Sequence, residues 1–172
     1  MDSAKVDFMS VPQANFDWFH EARFGLFLHW GVYALGARGE WQKSFEELGD
    51  EDYRKYVEYF QPDLFDPAAW AQLARAAGMK YMVITAKHHD GFCLWDSQFT
   101  DYKATAAPRC RRDLLRGIVD AFRAEGLKIG IYYSLPDWHH PNYVIDARHP
   151  LRRHPARCDF APYTEYLHNQ VR

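Results

Sequence analysis

Cysteine is scarce and unpatterned in this chain: Cys93, Cys110 and Cys158 are the only three in 172 residues. An odd count at unrelated spacings suggests neither a disulfide framework nor a zinc ribbon, and free thiols favour a reducing compartment. Long hydrophobic runs are missing too. No stretch reaches the roughly 20 apolar residues that a membrane helix needs, so no membrane partner is expected. The opening "MDSAKVDFMSVPQANFDWFHEARFG" lacks the basic-then-apolar order of a signal peptide. Together with the free thiols, that favours a cytoplasmic location. Charge of one sign is not in excess either. A formal net charge of -2 leaves no basic stripe for nucleic acid and no acidic tail for a charged partner. There is no internal repeat beyond a strand–helix unit, no low-complexity tract and no interdomain linker.

What the sequence does have is apolar and aromatic mass. With 48% hydrophobic and 26% charged residues, it can build a sizeable core. Aromatics reach 17%, including 6 Trp and 11 Tyr. Such rings pack on the C–H face of a pyranose, and they also fill ordinary cores.

The periodicity alternates between two patterns. "RFGLFLHWGVY" (23–33) reads as a buried strand followed by a loop. "DEDYRKYVEYF" (50–60) and "DPAAWAQLARAAG" (66–78) have helical spacing. In the second, Asp66 suits the cap, Pro67 the first turn and Gly78 the exit. Trp70, Leu73, Ala74 and Ala77 form its expected buried stripe. "MKYMVITAK" (79–87) is a second strand, followed by a long loop over 88–110. "RRDLLRGIVDAFRAEG" (111–126) is a helix burying Leu114, Leu115, Ile118, Val119 and Phe122, with Asp113 as an acid in its first turn. "LKIGIYYSL" (127–135) is a third strand, 136–159 a proline-rich loop, and "APYTEYLHNQVR" (161–172) a last helix. Helices return to strands through short glycine turns, while strands leave through long loops. This asymmetry marks a parallel α/β sheet with its site at the strand C-terminal ends.

Three strands end in polar groups, most of them ring-bearing: His29 after the first, His88 and His89 after the second, and Tyr132, Tyr133 and Ser134 after the third. A lone histidine there is most simply structural. Repetition over three strands points to one shared pocket. Metal binding needs ligands that converge, and neighbouring residues on a strand point to opposite faces. His88 and His89 therefore share an ion only if the chain has already left the strand, and no His-x-His or His-Glu-x-x-His spacing occurs. No metal and no cofactor are expected. Neutral imidazoles that exchange hydrogen bonds with ligand hydroxyls fit better, with Asp90 orienting a ring or bracing the loop. In "GEW" (39–41), Glu40 beside Trp41 offers an acceptor next to an apolar plate; alternatively it is a surface acid beside a core ring. No carboxylate pair is spaced as a nucleophile and an acid/base.

The segments "WFHEARFGLFLHWGVYA", "GEW", "AKHHDGFCLWDS", "RDLL", "GIYYSLPDWHHP" and "YLHNQVR", in this order, resemble the N-terminal part of a glycoside hydrolase family 29 α-L-fucosidase. The likeness runs from about Trp18 to Arg172. It implies about three βα units of a (β/α)₈-like TIM barrel, with residues 1–172 as one incomplete catalytic domain. It also implies retaining hydrolysis of α-L-fucosides without a metal, on a fucosylated glycan. By that resemblance His29, Glu40, Trp41, His88, His89 and Tyr132 line the fucose pocket, while Trp95 and Trp138 match family motifs and either stand behind the pocket or belong to the core. The family nucleophile, an aspartate in a "WFDG"-like motif, is expected beyond Arg172, as is the acid/base glutamate. A barrel takes about 250 residues, so the chain alone is expected to be inactive and to fold poorly. The alternatives are a metal-dependent barrel hydrolase built on His29, His88 and His89, or a non-catalytic fucose-binding module. If the histidines act as neutral partners, fucose binding should weaken near pH 6 and below, given an ordinary His pKa of about 6.5.

Overall fold

A computed structural model describes residues 16–154 and 158–172. Residues 1–15, read above for a leader, and 155–157, inside the proline-rich stretch, lie outside the described residues. A short helix α1 (Asp17–Ala22) leads into strand β1 (Gly25–Leu28). A 3₁₀ turn (Val32–Gly36), α2 (Gln42–Phe45) and α3 (Asp50–Glu58) fill the long connection to α4 (Pro67–Ala76). Then follow β2 (Tyr81–Lys87), α5 (Leu114–Ala124), β3 (Lys128–Tyr133) and α6 (Phe160–Val171). The strands form one parallel sheet in the order β1-β2-β3.

Sequence explains both ends of the connecting helices. Asp66 and Asp113 cap α4 and α5 by accepting from the amides of Ala69 (3.0 Å) and Arg116 (2.8 Å). Asp113 thus stands one residue before α5 instead of inside its first turn. Both helices stop in the same way. Gly78 and Gly126 take left-handed φ values of 86° and 74°. The amides of Met79 and Leu127 then reach back to the carbonyls of Ala74 and Phe122, both at 3.1 Å. This six-to-one bond closes a Schellman turn and aims the chain straight into the next strand. Short returns and long exits, the asymmetry read from the sequence, follow from it.

The register divides the sheet residues into two faces. Leu26, Leu28, Met82, Ile84 and Ile129 pack with α4 and α5 in the core, around Ala71, Ala74, Leu114, Ile118 and Phe122. The opposite face carries Phe27, Val83 and Gly130 in one row and Thr85 beside Tyr132 in the next. Gly25 is required on that face, because a Cβ there would lie 2.3 Å from the Tyr81 ring. The helical stripes are only half buried by this arrangement. Ala71 and Ala74 of α4 are buried, whereas Leu73 is 72% exposed, and Ala77 is exposed as well. Leu73, Trp70, Phe65 and Leu28 line an open apolar groove of about 600 Å³ along β1. On the far side Leu115, Val119, Ile131 and Val171 line a second, of about 540 Å³, along β3. Among the described residues no helix is long and apolar enough to cross a membrane. All three cysteines are free.

Candidate functional site

β2 is the central strand and ends at Lys87. Its pairing with β3 shifts register between Thr85 and Lys87, so His88 and His89 lie beyond the ladder and escape strand alternation. Their rings come together at 4.2 Å between centroids. His29, just past β1, brings its ring to 4.9 Å from His88. Tyr132 of β3 stacks on His88 at 5.9 Å. Trp41 meets His89 edge-on at 5.0 Å. Glu40 is half-buried next to Trp41, and its charge is felt by His89 and by Tyr33. The three strand ends therefore supply one aromatic and imidazole cluster.

Burial sets the charge state of this cluster. Desolvation, followed by the neighbouring His89 and His29, pushes His88 down to about 3. His89 is lowered as well, mainly by burial and against the pull of Glu40. Both rings are thus neutral near pH 7. His88 Nδ1 is buried with no hydrogen-bond partner among the described residues. The pH expectation from ordinary histidine values needs correction, because His88 does not charge near pH 6 in the folded chain.

Asp90 braces the loop instead of orienting a ring. Its carboxylate is fully enclosed and accepts from the Tyr53 hydroxyl and the Phe92 amide, both at 3.1 Å. Burial raises its pKa against these donors. Beneath the cluster, Lys87 and Asp137 form a buried ion pair at 2.8 Å. Asp137 also accepts from the amides of His139 (3.1 Å) and His140 (2.9 Å). That pair ties the end of β2 to the loop after β3. Gly91 adds to the tie, since a Cβ at its left-handed position would meet Asp137 at 2.4 Å. Among the described residues no three or more His, Cys, Asp or Glu side chains are arranged to hold a metal ion.

Two neighbours, Tyr33 and Thr85, escaped the sequence reading. Tyr33 packs its ring 5.5 Å from His29 and 5.2 Å from His88, and its hydroxyl meets the Thr85 hydroxyl at 3.0 Å. Thr85 accepts from the Trp30 amide at 3.1 Å and donates to the Trp30 carbonyl at 3.0 Å, which fixes the backbone beside His29. The i+4 spacing of Tyr33 from His29 was the available signal, but the glycine between them read as a loop. Trp138 is 4% exposed and touches both His89 (5.2 Å) and Trp41 (5.4 Å). Tyr133 turns away from the cluster. Its hydroxyl donates to Gln170 at 2.6 Å, and its ring lies under the Lys87 ammonium.

Known proteins resemble this chain in sequence and fold. Residues 4–172 match the family model for alpha-L-fucosidase. Alpha-L-fucosidase isoenzyme 1 from Paenibacillus thiaminolyticus is 56% identical with a TM-score of 0.87, over 91% of this chain and 38% of that one. A Bacteroides thetaiotaomicron α-L-fucosidase of glycoside hydrolase family 29, solved as a trapped covalent intermediate with 2-fluoro-fucosyl fluoride, is 34% identical with a TM-score of 0.76. That likeness spans 89% of this chain and 36% of the other. The tissue alpha-L-fucosidase of Rattus norvegicus is 36% identical over 167 residues, 88% of this chain and 35% of its own length. The chain therefore spans little more than a third of the relatives it matches. On the family match, the identities and the shared parallel α/β architecture, the chain belongs to the α-L-fucosidase family of glycoside hydrolases.

Proposed function

We propose that this chain supplies the fucose-recognition half of the −1 subsite of a retaining α-L-fucosidase acting on fucosylated glycans. On this reading the three strands are the first three βα units of a (β/α)₈-like barrel. The observation that carries it is the meeting of His29, His88, His89 and Tyr132 from three successive strand ends with Trp41 from the start of α2, with His88 and His89 held towards the neutral form. A free nitrogen of a neutral imidazole can donate to or accept from a sugar hydroxyl, as its tautomer sets. Trp41 gives the ring a face to pack on, and Glu40 accepts from a hydroxyl. These contacts tighten as the pyranose flattens towards an oxocarbenium ion, so their binding energy lowers the barrier.

The chemistry itself needs two more carboxyl groups. In a retaining glycosidase one attacks the anomeric carbon, and the other protonates the leaving oxygen and then activates water. The covalent intermediate trapped in the Bacteroides relative supports this double displacement. No "WFDG"-like motif stands in this sequence. Glu40 is the only carboxylate assigned to the pocket. We therefore assign recognition to this chain, with the nucleophile and acid/base outside it.

The test is titration of the purified chain with L-fucose, followed by calorimetry, beside an aryl α-L-fucoside assay and metal analysis. Saturable binding, weakened about 5- to 150-fold in His29→Ala for the 1–3 kcal/mol of a buried group left unpaired, is expected without turnover. Stoichiometric zinc with loss of binding on chelation would favour the metal-dependent alternative. Turnover by the chain alone would overturn the division of labour.

A further inference from the structure

His89 has one ring nitrogen already engaged. Its Nδ1 is hydrogen-bonded to the hydroxyl of Ser134, the first residue past β3. Ser134 is 1% exposed. Its amide donates to the Lys87 carbonyl at 2.9 Å, and the Trp138 amide donates to the His89 carbonyl at 2.7 Å. Two backbone bonds thus lock the loop after β2 to the loop after β3, with Ser134 and His89 facing one another across the lock. His89 Nε2 has no hydrogen bond among the described residues.

A hydroxyl has one proton to donate and two lone pairs. Among the described residues, the imidazole Nδ1 is the sole hydrogen-bond partner of the Ser134 hydroxyl. If Nδ1 carried the proton, the Ser134 proton would point at no acceptor inside a buried site. An unmet buried donor costs about 1–3 kcal/mol. If Ser134 donates instead, both groups are satisfied, and the ring proton is driven to Nε2. Trp41, Trp138 and His88 hold the ring from three sides, so it cannot turn over to exchange its nitrogens without breaking those contacts.

We infer that Ser134 is a positioning residue that fixes His89 as the Nε2–H tautomer, making His89 a hydrogen-bond donor to a ligand oxygen. The tautomer stands on geometry alone; its role toward a sugar rests on the fucoside reading proposed above. Within that reading His89 cannot accept from a sugar hydroxyl while Ser134 holds Nδ1, and the acceptor at this end of the pocket is Glu40.

The experiment uses the full 172-residue chain with histidine-selective ¹⁵N labelling, read by solid-state spectroscopy, which tolerates any state of association. The His89 signals are assigned by their loss in His89→Gln. Nδ1 should resonate in the unprotonated range and Nε2 in the protonated range near neutral pH. Ser134→Ala should convert His89 to a mixture of tautomers, and Ser134→Thr, which keeps the hydroxyl, should restore the single form. L-Fucose affinity should fall about three- to tenfold in Ser134→Ala, the worth of one hydrogen bond, and recover in Ser134→Thr. A protonated Nδ1 in the unsubstituted chain overturns the inference whether or not the variants fold. An unchanged tautomer in a folded Ser134→Ala chain overturns it too. Failure of the unsubstituted chain to bind fucose, with the tautomer as stated, counts against the fucoside reading and not against the tautomer.

Discussion

At the scale of single residues, burial decides what the histidines can do. His88 was legible as a member of the strand-end cluster from its place after an apolar run, but its charge state was not. Sequence shows an imidazole; only packing against His29, His89, Tyr33 and Tyr132 shows one pushed down to about 3. The consequence is a pH dependence of stability. An unfolded chain takes up a proton at His88 below its ordinary 6.5, while the folded chain stays neutral down to about 3. Stability is therefore lost as pH falls through that window, with a slope of about 1.4 kcal/mol per pH unit for each such proton. His89, His140 and His149 are lowered chiefly by burial and act in the same direction. Asp50 adds to the loss at the acid end. Burial raises it, but His139 and Lys43 outweigh burial and hold it at about 2. Urea melts of the dilute chain from about pH 7 to about pH 4.5 should show the midpoint falling, less steeply in His88→Gln. A flat midpoint would mean that these rings are not buried as neutral groups.

At the scale of elements, the ends were more legible than the faces. Asp66–Pro67 and the glycines at 78 and 126 announced helix boundaries because capping and left-handed turns are local events, decided within a few residues. The start of α5 was read three residues early, since the arginines at 111 and 112 carry good helix propensity but lie before the cap. Asp113 does two things there: besides capping α5, it accepts from the Asp96 amide at 3.2 Å and so anchors the loop after β2. Asp113→Ala should cost about 1–2 kcal/mol, seen as a lower urea midpoint. Asp113→Asn, which keeps a capping oxygen, should recover most of it. Full stability in Asp113→Ala would show that neither bond matters. The short elements between 32 and 45 escaped sequence reading, since helices of 4 or 5 residues show less than two turns of periodicity. The stripes of α4 and α5 were read as wholly buried, yet Leu73 is exposed and Leu115 and Val119 are only half-buried. Periodicity identifies an apolar face but not what covers it.

At the scale of the whole molecule, those half-covered stripes are informative. Each borders an apolar groove at an outer edge of the sheet, one beside β1 and one beside β3. Phe27 and Ile131, which line them, are 55% and 50% exposed. Parallel strands are normally covered on both faces, and open edges with apolar flanks recruit other chains. Purified residues 1–172 should therefore self-associate in a concentration-dependent way. Light scattering should show the mass rising with concentration, and less so in Ile131→Glu. A monomer at every concentration would mean that the grooves are tolerated as they stand. The alternation of strands and helices made the parallel sheet legible, and the long strand exits made the gathering of side chains at one end of it legible. The contacts inside the site were not, because they join residues from three loops that sequence order keeps far apart.

The most direct test of the central claim, that this chain is the recognition half of a retaining fucosidase, is to graft it. Residues 16–172 would replace the corresponding segment of the Paenibacillus enzyme, which is 56% identical over the shared region. Hydrolysis of an aryl α-L-fucoside by the hybrid is then followed by proton NMR of the first-formed sugar. The account predicts turnover with α-L-fucose appearing before mutarotation, and a fall in kcat/KM of about 5- to 150-fold in His29→Ala. β-L-Fucose as the first product, or an active hybrid indifferent to His29→Ala, would contradict it.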